Sequence, residues 1–145
     1  MTKRGHDVER YYDFIYFWAQ ITNRFRAFRE VAPYAIHRGL VDERTGEWRT
    51  ETIHDLIADA ARDLGAIDAL DAGCGYGGSM MGLPKDLGGR WHGITINRHQ
   101  IRIARRNAKA MGLDGALSFE LASYDDPLPR TFNLIYGIES LIHSA

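Results

Sequence analysis

The chain has 145 residues, 45% hydrophobic and 26% charged, which suits one compact domain with its own core and excludes a disordered segment. Its formal net charge of −1 excludes whole-molecule attraction to nucleic acid or to an anionic membrane surface. The lone Cys74 rules out an internal disulfide and fits a reducing, cytoplasmic setting. No secretory leader or membrane span is expected, because the richest apolar stretch, residues 11–21, is interrupted by Asp13 and Gln20.

Residues 8–29 place Tyr11, Phe14, Ile15, Trp18, Ile21, Phe25 and Phe28 at three- and four-residue spacing, the pattern of an amphipathic helix. The stripe reads either as a packing surface or as a lid whose Tyr12 and Tyr16 face a substrate. Pro33 and Gly39 then punctuate a loop to about Gly46. A second helix follows to Leu64, with Ile53, Leu56, Ile57 and Ala60 on its apolar face and Gly65 as its stop.

A buried strand over residues 66–70 ends at Asp71, and the turn A-G-C-G-Y-G-G leads into a helix near Ser79 that Pro84 shortens and Gly88-Gly89 ends. Glycines at 73, 75, 77 and 78 allow a ligand to approach the main chain, which suits an anionic or carboxylate-bearing group. A dinucleotide would require Asp or Glu at the tip of the next strand. That strand, residues 91–96, ends in Thr95, Ile96 and Asn97, so the nicotinamide reading fails; the acid stands at the first strand instead, where it can accept from an ammonium group.

A helix over residues 98–111 carries Ile101, Ala104, Ala108 and Met111 inward and Arg98, Arg102, Arg105 and Lys109 outward. Asn97 and Gln100 stand in capping-box relation, a purely structural reason for both. A third strand, residues 117–121, precedes Ser123, Tyr124 and an extended loop at Pro127 and Pro129. The fourth, residues 132–137, is apolar on both faces and reads as central; Glu139 and His143 then begin a helix.

This alternation predicts an α/β fold: a Rossmann-like, doubly wound parallel sheet of about four strands in the order 3-2-1-4, with N-terminal helices. Its ligand crevice lies at the strands' carboxyl ends, where Asp71, Thr95, Ser123 and Glu139 all fall.

Four segments, V-E-R-Y-Y-D from Val8, D-A-G-C-G-Y-G-G from Asp71, G-I-T-I-N-R-H-Q from Gly93 and G-I-E-S-L-I-H from Gly137, resemble class I S-adenosylmethionine-dependent methyltransferases. Within that class the chain is similar to the cyclopropane fatty acid synthase, sterol and tocopherol C-methyltransferase group. The resemblance implies S-adenosyl-L-methionine as cofactor, with Asp71, Gly73 and Gly75 at its amino-acid end and Thr95 and Gln100 at its ribose. Ser123 and Tyr124 would border the adenine, and Ala72, Cys74 and Ile96 belong to the same cofactor-binding set. Glu139 matches a carboxylate beside the reacting methyl, Tyr12 an aromatic that closes over the site, and His143 a further catalytic position; no metal ligand is implied.

The activity so implied is methyl transfer to a small-molecule or lipid-like acceptor, with carbon among the candidate acceptor atoms. The alternative is a non-catalytic S-adenosylmethionine-binding module or assembly partner. Residues 1–48 are expected to form a helical lid and residues 49–145 the cofactor-binding half-domain. The family's sheet has seven strands, so the expectation is either a longer native product or pairing of the fourth-strand edge with another chain, with the N-terminal aromatic helix as a second route to a homo-oligomer.

Overall fold

The computed structural model describes residue 14 and residues 39–49, 51–65, 68–83, 87–128 and 130–141. Apart from Phe14, the aromatic segment of residues 8–29 lies outside these, and so do Tyr12 and His143.

A short antiparallel hairpin comes first, β1 (Leu40–Val41) against β2 (Trp48–Arg49), where the sequence suggested only a loop. Asp42 is the reason: buried in the turn, it takes the Arg44 N–H at 2.9 Å and the Arg44 and Arg49 guanidinium groups at 3.3 and 3.5 Å. Helix α1 (Glu51–Leu64) follows and stops at Gly65.

The sheet itself comprises β3 (Asp68–Ala72), β4 (Arg90–Thr95), β5 (Leu117–Leu121) and β6 (Leu134–Tyr136), all parallel, in the spatial order β5-β4-β3-β6. That is the expected 3-2-1-4 order. Helix α2 (Gly78–Met81) joins β3 to β4, and α3 (Arg98–Ala110) joins β4 to β5. Register places Ala69 beside Trp91 and Leu134, and Trp91 beside Leu117, so these side chains share one face of the sheet. Ile57, Ala58 and Ala61 of α1, Met80 and Met81 of α2, and Ile101, Ala104 and Ala108 of α3 pack onto that face as one core. Each large apolar side chain so buried contributes about 1.5–3 kcal/mol.

Several local expectations are corrected. The inward face of α1 is His54, Ile57, Ala58 and Ala61, while Leu56 is exposed, because the buried set runs at i, i+3, i+4 and i+7 from His54 and leaves position 56 on the outer side. Met111 is exposed past the end of α3, where Gly112 turns the chain away. The fourth strand, read as central, has β3 as its one partner among the described residues, and Ile135 is half exposed. Helix α2 is a single turn rather than the longer helix expected.

The opposite face of the sheet is more polar. His92 stacks on Phe132 and lies within reach of Ser118 at 2.8 Å and Glu120 at 3.3 Å. Arg130 covers Phe132 and pairs with Asp68, which also takes Arg90.

Candidate functional site

The glycine turn after β3 is stitched to β4 by its own backbone: the N–H groups of Gly73 and Cys74 both donate to the Ile94 carbonyl, at 3.0 and 2.9 Å. Gly73 and Gly75 both have positive φ, 94° and 54°, but for different purposes. A Cβ on Gly73 would stand 2.3 Å from the Ser140 Cβ, so the missing side chain makes room for protein. A Cβ on Gly75 would meet nothing within 4 Å, and no backbone carbonyl among the described residues takes its N–H. Gly75 is therefore where a ligand can touch the main chain. Cys74 fills space: its side chain is buried against Gly93, and burial pushes its thiol well up, away from thiolate chemistry.

Beneath this turn lies Asp71, fully buried. Its carboxylate accepts the Ser79 hydroxyl at 2.6 Å, and register sets it beside Tyr136 of β6. Desolvation pushes the carboxyl up to about 6, against the opposing pull of the Ser79 hydrogen bond. Tyr136 is pushed well up by its own burial first and by the Asp71 charge second. The acid expected at the strand tip is thus engaged inside the protein, propping α2 against β3.

At the tip of β4, Thr95 and Gln100 bind each other: the threonine hydroxyl donates to the Gln100 side-chain carbonyl at 2.7 Å and accepts the Asn97 N–H at 3.3 Å. Asn97 caps α3, its side-chain oxygen taking the N–H groups of His99 and Gln100 at 2.8 and 3.1 Å. The capping box is thus half built. Gln100 turns to Thr95 instead of reaching back to Asn97, and with its oxygen occupied the group left to a ligand is the amide –NH2. Ile96 is partly exposed beside this pair.

The loop after β5 brings up Ser123 and Tyr124. Ser123 closes a local turn, its hydroxyl accepting the Asp125 N–H at 3.1 Å. Tyr124 reaches across the crevice, its hydroxyl donating to the Ser140 carbonyl at 2.8 Å. Ser140 is buried, and its own hydroxyl donates to the Ala72 carbonyl at the end of β3. Glu139 precedes it with a φ of 51°, left-handed rather than the helix start expected.

The fold therefore gathers Ala72 to Gly75, Thr95, Ile96, Gln100, Ser123, Tyr124 and Glu139 at the carboxyl ends of the strands, where β3 has β4 on one side and β6 on the other. Asp71 lies under this surface. Reading by motif missed Ser79, Tyr136 and Ser140. The one available signal was a serine in the first turn after the glycines; Ser140 could be found only by folding, since it meets Ala72 across 68 positions. Among the described residues no His, Cys, Asp or Glu group could hold a metal ion, and no helix is long and apolar enough to cross a membrane.

The methyltransferase domain family matches residues 69–145. A methyltransferase of Streptomyces halstedii, GfsG, is 32% identical over 103 residues, covering 68% of this chain and 34% of that protein. The 24-methylenesterol C-methyltransferase 3 of Arabidopsis thaliana is 35% identical over 80 residues, 52% of this chain and 21% of that one. Among solved structures, a Galdieria sulphuraria protein assigned as a sarcosine dimethylglycine methyltransferase superposes with a TM-score of 0.69 at 19% identity, over 92% of this chain and 50% of that chain. The chain spans about a third or less of these curated relatives and half of that solved neighbour. With the glycine turn, the acid-free second strand and the strand order all in accord, the chain belongs to the methyltransferase domain family.

Proposed function

We propose that this chain binds S-adenosyl-L-methionine and serves transfer of its methyl group to a small-molecule or lipid-like acceptor. The observation that carries this reading is the open cradle at Gly75, flanked by the Thr95–Gln100 pair and by Tyr124 at the carboxyl ends of one parallel sheet. The cofactor supplies, when bound, a methyl group made electrophilic by a sulfonium.

The residues of the chain bind, orient and exclude water. The Gly75 N–H donates to the carboxylate of the amino-acid end, and Gln100 offers its amide donor to a ribose hydroxyl. Ile96 and the Tyr124 ring flank the base. Asp71 acts from below as a prop for the turn, not as a direct ligand. Transfer then needs an acceptor held in line, with water kept out, which is the office proposed for residues 1–48 and Tyr12. With a carbon acceptor, the proton lost after methylation passes to the Glu139 carboxylate; His143 stands as a second proton-handling group. A cytoplasmic setting and a second copy pairing along the outer side of β6 complete the proposal.

Titration calorimetry with S-adenosylmethionine and S-adenosylhomocysteine tests it. Binding to the wild type, lost in Gly75→Val with the fold retained, is the expected result, and absence of binding to the wild type overturns the reading. Transfer of a labelled methyl into a lipid extract or a small-molecule pool, lost in Glu139→Gln while binding persists, separates the enzyme from a binding module.

A further inference from the structure

The segment that carries Glu139 is anchored on both faces of the crevice. On one side the Ser140 hydroxyl is bonded to the Ala72 carbonyl, with the serine side chain seated in the notch that Gly73 leaves open. A Cβ on Gly137 would stand 3.1 Å from the Ala72 carbonyl oxygen, so the segment is packed against the end of β3 before Glu139 as well as after it. On the other side the Ser140 carbonyl takes the Tyr124 hydroxyl at 2.8 Å, a bond across 16 positions from the loop after β5. Between these anchors Glu139 holds a left-handed conformation, which is unfavourable for a glutamate and persists only where neighbouring contacts impose it.

We propose that Tyr124 is a positioning residue for Glu139: through its hydroxyl on the Ser140 carbonyl, it fixes where the Glu139 carboxylate stands relative to the cofactor's sulfur. This rests on the reading of Glu139 as the carboxylate beside the reacting methyl. The tyrosine thereby has two separable parts. Its ring belongs to the base-binding loop, and its hydroxyl to the catalytic segment on the far side of the crevice.

The separation gives a test that needs no acceptor. S-Adenosylmethionine carries a positive sulfonium and S-adenosylhomocysteine a neutral thioether, so the ratio of their affinities reports a carboxylate near sulfur. Glu139→Gln is expected to lower that preference about three- to tenfold. Tyr124→Phe, which keeps the ring, is expected to lower it in the same direction while the affinity for S-adenosylhomocysteine stays within about twofold. In the double variant the second substitution adds nothing to the ratio.

A Tyr124→Phe variant that weakens both ligands equally shows a role confined to the base pocket and overturns the proposal. So does a ratio that falls independently in the two single variants and adds in the double. A Glu139→Gln variant with an unchanged ratio overturns the underlying reading of Glu139 instead, and the positioning role with it. Amide hydrogen exchange over residues 137–141 supplies a second measurement: faster exchange in Tyr124→Phe supports the anchor, and unchanged exchange overturns it.

Discussion

Ser79 donates its hydroxyl to the Asp71 carboxylate across 2.6 Å, and both side chains are buried between β3 and the first turn of α2. The bond ties the end of the central strand to the helix that follows the glycine turn. It also keeps an acid in a place where its charge is poorly solvated.

A pH dependence of stability follows. Asp71 rises from 3.8 to about 6 on folding, so the folded state holds its proton more tightly than the unfolded chain. Its contribution is most favourable below pH 4, declines as pH rises to about 6, and is constant above; the loss totals roughly 3 kcal/mol. Asp68, held low by hydrogen bonds from Arg130 and Arg90, works in the opposite direction. Asp71→Asn, which keeps an acceptor for Ser79, should therefore gain on the wild type between pH 4 and 7. Urea midpoints of the two proteins across that range measure it, and parallel curves would refute the assignment.

Alanine at Gly73 and at Gly75 should fail differently. At Gly73 the new methyl meets Ser140 at 2.3 Å on top of a φ of 94°, and stability should fall by about 2–4 kcal/mol. At Gly75 the methyl enters open space, so only the left-handed strain of about 1–2 kcal/mol is paid while the ligand cradle is filled. Thermal unfolding and calorimetry on the two variants should rank them in opposite order.

Thr95→Val keeps the shape of the side chain and removes a hydroxyl that serves two buried groups, the Gln100 carbonyl oxygen and the Asn97 N–H. The expected cost is about 1–3 kcal/mol in denaturant unfolding, with Thr95→Ser close to wild type. Cofactor affinity should fall too, since Gln100 loses the partner that orients its amide.

Asn97→Ala removes the cap of α3 and should cost about 1 kcal/mol. Asn97→Asp should recover most of it, as a carboxylate accepts the same two N–H groups. Circular dichroism during thermal unfolding distinguishes the three proteins.

The order of the sheet was legible because alternation of strands and helices, with right-handed crossovers, leaves few arrangements open. Thr95, Ser123 and Glu139 were legible as strand-end residues for the same reason. What escaped was which way a side chain is used. Asp71 sits at the tip of a strand, yet alternation across the pleat turns it under the turn, and only register with Tyr136 makes that evident. Leu56 looked apolar and inward, but the helix settled on its alanines. Glu139 read as a helix start because it follows the fourth strand in an alternating chain, while the bonds that hold its segment come from Ala72 and Tyr124, far away in sequence.

Arg105 of α3 lays its guanidinium over the Phe119 carbonyl of β5, with donors at 2.5 and 3.2 Å. A charged side chain wrapped onto the outermost strand takes the acceptor that a foreign strand would need and brings a bulky cation to meet any newcomer. The two borders of the sheet therefore differ: the β5 side carries a cation bonded from the protein's own helix, whereas β6 has β3 as its one partner among the described residues.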